Sequence, residues 1–127
     1  SMDLAPTCLR VAGGELPRER PFDGVDLMPY VTGKDKSVPH PILCWENRAW
    51  LGPRGRQRPV PGQHHRAIRK GKWKAIQPAG ETEWQLFDLQ ADPGEAHDMA
   101  TEHSDVTKDL VQEFTRWRES MTNAAQI

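Results

Sequence analysis

Val106, Leu110, Phe114, Trp117 and Met121 recur at the spacing of one helical face, with Lys108, Gln112, Glu113, Arg116 and Glu119 on the opposite side. Ser104 stands where a cap would begin such a helix, and the residues from Thr122 onward are expected to fray. Upstream the apolar period shortens to two. Ala67 to Leu89 reads as two hairpins in a row, the first turning at Lys70-Gly71 so that Ile68 faces Trp73 and Arg69 pairs with Lys72. The second turns at Pro78-Ala79-Gly80 and returns through Trp84, Leu86 and Phe87. Ile42 to Glu46 reads as a further strand, central in the sheet or next to its edge. A meander this short needs a cover for its apolar face, and the C-terminal helix supplies one.

The first third of the chain is patterned for short helices. Asp3 is placed to cap one that carries Pro6 in its first turn, sets Leu4, Cys8, Val11 and Ala12 on one face, and stops at Gly13-Gly14. Asp26 is placed to cap a second, with Leu27, Tyr30 and Val31 inward and Gly33 as its stop. These apolar stripes exceed what a small sheet needs, so residues 1–33 are expected to pack on something larger. Arg48 to Arg66, containing WLGPRGRQRPVPGQHH, reads as a long irregular loop. The fold class that follows is α+β. It is a small antiparallel sheet of about four strands packed against a long C-terminal helix over 40–124, with short helices near the N-terminus.

A length of 127 residues suits one small domain, and no stretch is apolar enough for a membrane span. Cys8 and Cys44 stand in no C-x-x-C spacing and read as buried thiols. The net charge of −1 hides an asymmetry: nine Lys/Arg, two His and no acid fall between Arg48 and Lys74. That basic segment, 48–74, admits three readings. It could clamp nucleic acid or an anionic polysaccharide, with Trp50 and Trp73 stacking on the ligand. It could line the mouth of a pocket for a sulfated or phosphorylated molecule. It could also be a solvated loop.

Catalytic constellations are lacking: no G-x-S-x-G, no phosphate-cradling glycine loop, no H-E-x-x-H and no carboxylate pair at acid/base spacing. No catalytic residue is therefore assigned. His64 and His65 are adjacent and would point to opposite faces of a strand, which makes a poor chelate, so no metal residue is assigned either. His64, His65 and Arg66 are the candidate contacts to an anionic substrate.

The order of the segments carries a resemblance. Ser1-Met2-Asp3-Leu4-Ala5-Pro6-Thr7 leads into a helix ending at Gly13, followed by Asp23-Gly24-Val25-Asp26-Leu27 with Pro29. Then come Ala67-Ile68-Arg69-Lys70-Gly71-Lys72-Trp73-Lys74, Trp84-Gln85-Leu86-Phe87-Asp88-Leu89 and Asp92-Pro93-Gly94-Glu95. This ordered set resembles the C-terminal part of the arylsulfatase family over nearly the whole chain, excepting Arg48 to His65 and the last few residues.

The resemblance implies that 1–127 is the C-terminal subdomain of a sulfate-ester hydrolase of alkaline-phosphatase-like α/β fold, inactive alone. Such a subdomain closes one side of the substrate cleft, where His64, His65 and Arg66 would form part of the rim. The formylglycine nucleophile and calcium ion of the family belong to the N-terminal part. Cys8-Leu9-Arg10 and Cys44-Trp45-Glu46 do not match the family's C/S-x-P/A-x-R motif. The implied partners are that N-terminal domain and a sulfated small molecule or glycan, with neither nucleic acid nor a membrane. The exposed helix faces also make self-association of the fragment an expectation. The resemblance fits a periplasmic, secreted or lysosomal parent.

Overall fold

The structure is a computed structural model describing residues 2–19, 22–51 and 58–124. It divides into two compact units, Ser1–Pro41 and Ile42–Ile127. Among the described residues no helix is long and apolar enough to cross a membrane.

The first unit holds α1 (Leu4–Val11) and α2 (Met28–Val31). Asp3 precedes α1 as expected, but its side chain caps nothing there. The carboxylate instead accepts the Val25 N–H at 2.9 Å and meets His40 Nε2 at 2.7 Å. Thr7 completes the tie: its hydroxyl donates to the Asp3 carbonyl at 2.6 Å and accepts the Leu27 N–H at 2.9 Å. These polar links draw residues 25–27 against the start of α1, and Pro6 and Gly24 are buried there. Gly33, at φ +72°, ends α2 and donates its N–H to the Tyr30 carbonyl.

Two expectations for this unit are corrected. Val31 does not point inward but is 77% exposed, and Cys8 is an exposed thiol. Leu4 and Val11 are exposed as well. The unit is closed by hydrogen bonds around Asp3 and Thr7 and by buried Pro6, so the apolar stripe of α1 is not needed inside it.

The second unit is a four-stranded antiparallel sheet in the order β1 (Ile42–Leu51), β2 (Arg58–Lys70), β3 (Trp73–Gln77) and β4 (Gln85–Asp88), with α3 (Ser104–Ala124) on one face. Strand β1 is therefore an edge, neither central nor one strand in from it. The expected irregular loop from Arg48 to Arg66 is also corrected, because β1 runs on to Leu51 and β2 begins at Arg58. Residues 52–57 of that segment lie outside the described residues.

The physical reason is that β3 pairs only with residues 66–70 of β2, so residues 58–65 have β1 alone as a neighbour. Pro59 and Pro61 thus occupy a two-stranded ribbon with an open side, where a missing N–H is tolerated. A register shift between Arg48 and Trp50, and Gly62 at φ +73°, accommodate the irregularity.

The first turn of the meander is one residue further on than expected. Lys70 pairs with Trp73, Arg69 with Lys74 and Ile68 with Ala75, so Gly71-Lys72 form the turn and Gly71 takes φ +59° at its first central position. This register puts two fully buried side chains, Ile68 and Ala75, opposite each other on the helix side. With Leu86, Leu110 and Phe114 they form the core, flanked by Ile42, Cys44, Trp73, Trp84, Val106 and Trp117. Burial pushes the Cys44 thiol up to about 11, with Glu113 adding to the shift, so this cysteine is an inert packing residue. The helix starts at Ser104 and stays helical to Ala124, past the point at which fraying was expected. Met121, at its far end, is half exposed.

Between β4 and α3 the chain is held by aspartates. Asp88 accepts the Gln90 and Ala91 N–H groups, Asp92 those of Ala96 and His97, and Asp98 those of Leu86 and Ala100. The Lys72 ammonium holds the Asp88 carboxyl below the ordinary value of 3.8, and the His97 N–H does the same for Asp92. Asp3 is lowered chiefly by the Val25 N–H, and Asp35 by that of Ser37. A carboxylate lowered on folding contributes stability above its unfolded pKa, and that contribution is lost as pH falls through the folded value. The melting temperature is expected to be level from pH 7 down to about 5 and to fall steadily below about pH 4. Thermal melts across that range check this; a melting temperature unchanged at pH 3 would contradict it.

Candidate functional site

The row of the sheet next to the core row is polar. On the helix side Cys44, Ile68, Ala75 and Leu86 lie side by side, and two residues along the ladder come Glu46, Arg66 and Gln77. The same period places His64 on this face and His65 on the other.

The Glu46 carboxylate gathers the row. Its Oε1 lies 3.1 Å from Arg66 Nε and 3.3 Å from His64 Nδ1, and its Oε2 accepts from Arg118 Nε of α3 at 3.1 Å. Arg66 also donates through Nη1 to Gln77 Oε1 at 2.7 Å, and Gln77 Nε2 donates to the Thr82 carbonyl at 2.8 Å. The Glu46 side chain is 17% exposed, so these contacts are only partly screened by solvent. A cleft of about 260 Å³ opens beside the network, lined by Arg66, Gln77, Trp84, Phe114 and Arg118. His64 also borders a hollow of about 290 Å³ with Arg48, Val60, Pro61 and Gly62 on the ribbon.

Of the three expected contact residues, the structure brings two together. His64 and Arg66 share the Glu46 carboxylate. His65 lies on the opposite face, where its Nδ1 accepts the Ala79 N–H at 3.2 Å. It borders a hollow of about 290 Å³ with Trp45, Ala67, Ile76 and Lys74.

Three residues of this site were not foreseen. Glu46 is the lone acid ending an apolar run, and its pairing with Arg66 follows once β1 is laid against β2. Gln77 is placed by the same register. Arg118 is separated from Glu46 by 72 residues, and no local pattern announces it.

Three lysines of the basic segment pair with acids from outside it. Lys70 meets Glu113 at 3.3 Å, Lys72 meets Asp88 at 2.6 Å and Lys74 meets Glu95 at 2.6 Å. Trp73 packs against the core, its ring 5.0 Å from that of His103 and with the Lys72 ammonium 4.5 Å from it. It is thus engaged as a packing residue, not laid open as a stacking platform. Among the described residues no group of three or more His, Cys, Asp or Glu is disposed to hold a metal ion.

The likenesses to known proteins cover the same stretch. Residues 1–120 match the family described as N-sulphoglucosamine sulphohydrolase, C-terminal. Choline-sulfatase of Rhizobium meliloti (strain 1021) is 37% identical over 101 residues, covering 79% of this chain and 17% of that protein. A sulfatase of Schizosaccharomyces pombe is 34% identical over 123 residues, covering 87% of this chain and 19% of its own length. Among solved structures, Ps i-CgsB aligns with a TM-score of 0.68 at 27% identity, over 91% of this chain and 23% of that one. The chain thus spans about a fifth of the length of the relatives it matches. With residues 1–120 inside one family match and sulfatase relatives along most of its length, the chain belongs to the N-sulphoglucosamine sulphohydrolase C-terminal family, the C-terminal domain of sulfatases.

Proposed function

We propose that this domain closes one side of the substrate cleft of a sulfate-ester hydrolase and is inactive without the catalytic part. The observation that carries the reading is the half-buried row in which one carboxylate, Glu46, holds His64 and Arg66. Such a row presents fixed donors and acceptors beside an open cleft, which suits recognition of the non-sulfate part of a substrate. His65 belongs to the same rim from the other face of the ribbon. The substrate is a sulfated glycan or small molecule; the similar Ps i-CgsB is solved in complex with k-i-k-neocarrahexaose.

Residues 1–127 act as one C-terminal subdomain in this reading, 40–124 forming its sheet and helix. Residues 1–33 seat on the catalytic part, which the exposure of Leu4, Val11 and Val31 supports. The formylglycine and calcium of the family do not fit the residues present here. Neither cysteine stands in the required motif and no described acidic cluster matches a metal site, so the catalytic part must supply both.

In the full-length enzyme, replacing His64, His65 and Arg66 with alanine is expected to raise KM about tenfold with kcat changed less than about twofold, since binding contacts and not the reacting groups are removed. Steady-state kinetics on the sulfated substrate measure this. An unchanged KM would sink the rim assignment. The 127-residue chain alone should release no sulfate from that substrate, and measurable turnover would refute its dependence on the catalytic part.

A further inference from the structure

We propose that the helix-free face of the sheet carries a site for one sulfated sugar ring, with Trp45 as its stacking platform and His65 as its hydrogen-bond donor. The proposal rests on the rim reading and names what the His65 side of that rim takes. The ladder register orders this face in rows. Trp45, Ala67 and Ile76 stand side by side across β1, β2 and β3. On one side of them Arg69 faces Lys74, and on the other Asn47 faces His65. Successive rows lie two residues, about 7 Å, apart. Trp45, Asn47, His65, Lys74 and Ile76 line one hollow of about 290 Å³, and Trp45 is 44% exposed. An apolar strip one row wide is too small to seat a second domain, whose interface takes roughly 20–30 residues a side. It suits a pyranose, whose C–H face packs on an indole.

The flanking rows supply the polar half of the recognition. The Ala79 N–H donates to His65 Nδ1 at 3.2 Å, so that nitrogen holds no proton and the neutral ring carries its proton on Nε2. His65 therefore presents a fixed N–H donor, and the Asn47 amide beside it offers both a donor and an acceptor to sugar hydroxyls. The opposite row is cationic. Arg69 and Lys74 are like charges directly across the ladder, an unfavourable pairing. Glu95 neutralises Lys74 at 2.6 Å, whereas Arg69 Nε reaches only the Gly71 carbonyl, at 3.4 Å. This row keeps a positive charge in excess, and none of the residues lining the hollow is an acid. An anionic ester at that edge relieves the repulsion the register imposes. Along the strands the face thus meets a sulfate, an apolar ring face and a hydroxyl in turn.

Low-molecular-weight dextran sulfate tests the site against polyvinyl sulfate, which bears the same ester on a chain without sugar rings. In 1H–15N spectra of the 127-residue chain at pH 8, dextran sulfate is expected to shift the Trp45 indole N–H and the Asn47 side-chain amide, with His65 as the Nε2–H tautomer. An Nδ1–H tautomer, or shifts that spare Trp45, would overturn the proposal. Trp45→Ile removes the ring but keeps an apolar strand former, so the sheet is retained. In the full-length enzyme it is expected to weaken dextran sulfate binding about tenfold, while Trp45→Phe stays within about threefold and polyvinyl sulfate binds all three proteins alike. Equal dextran sulfate affinity in the native enzyme and Trp45→Ile, or equal losses for both polymers, would overturn the sugar site. Binding by the 127-residue chain that vanishes in the full-length enzyme would place the catalytic part on this face and overturn it as well. If Trp45→Ile loses dextran sulfate while the variant with alanine at His64, His65 and Arg66 keeps its KM, the rim reading falls and the sugar site stands outside the cleft. A raised KM in that variant with dextran sulfate binding unchanged in Trp45→Ile keeps the rim and removes the sugar site.

Discussion

Phe114→Ala is expected to destabilise the sheet-and-helix unit by about 3–5 kcal/mol, the range for deleting a buried aromatic side chain. Phe114 is 3% exposed and belongs to the core cluster with Ile68, Ala75, Leu86 and Leu110. Its ring centroid lies 5.2 Å from that of Trp84 at 62° and 5.4 Å from that of Trp117. Each aromatic pair adds roughly 0.5–1.5 kcal/mol beyond the area it buries. The sheet side of the cavity cannot collapse readily, because Ile68, Ala75 and Leu86 are fixed by ladder pairing on consecutive strands. Unit two is small, and each kcal/mol moves the melting temperature of a domain of 60–100 residues by about 4–8 °C. A fall of at least about 12 °C is therefore expected, read by circular dichroism or tryptophan fluorescence. Met121→Ala on the same helical stripe should move it by only a few degrees, because Met121 is 49% exposed. A drop under about 5 °C for Phe114→Ala would show that the core lies elsewhere.

That contrast within one stripe shows where sequence patterning stops. The spacing from Val106 to Met121 identifies α3 and its inward face, because apolar residues recurring every 3.6 positions line up on a helix and scatter over both faces of a strand. How deeply each position is buried depends on how far the sheet extends beneath the helix, which the helix sequence does not contain. The meander is legible for the same kind of reason, yet its first turn lies one residue beyond the expected position. Glycine accepts positive φ at either central position, so Lys70-Gly71 and Gly71-Lys72 are both permissible turns. The choice falls to the core, which places Ile68 against Ala75.

The ribbon from Arg48 to Arg66 is illegible because proline normally argues against a strand, and that argument weakens where one strand is the only neighbour. In the candidate site, His64 and Arg66 are visible as the chemistry-bearing end of a basic run. Glu46 is not, since its role appears only when β1 is laid against β2. Arg118 belongs to the polar face of α3, where a solvated charge is the ordinary expectation. It meets Glu46 through tertiary packing alone. The lysines mislead in the other direction: a cluster of like charges reads as an open patch in one dimension, whereas β4, the following loop and α3 bring Asp88, Glu95 and Glu113 onto three of them.

The second large effect is expected in the first unit, at Gly24. This glycine is buried, and a Cβ on it would lie 2.2 Å from the Met2 carbonyl oxygen and 2.7 Å from the Asp3 backbone nitrogen. Those are backbone atoms and cannot rotate aside as a side chain could. Gly24→Ala must therefore push residues 24–27 away from the start of α1. The displaced segment carries the Val25 N–H bound by the Asp3 carboxylate and the Leu27 N–H bound by the Thr7 hydroxyl, so one added methyl group breaks the two ties that close the unit. The overpacking alone is expected to cost about 1–3 kcal/mol. Native-state hydrogen exchange localises the effect. The amides of Val25 and Leu27 should lose most of their protection, while the β2–β3 ladder around Ile68 and Ala75 exchanges as before, because the two units are separate clusters of contacts. Thr7→Val separates the causes: it removes the hydroxyl tie without crowding Met2, so it should expose Leu27 and leave the Val25 amide held by Asp3. If both amides stay protected in Gly24→Ala, the close approach of Gly24 to Met2 is not what holds the first unit together.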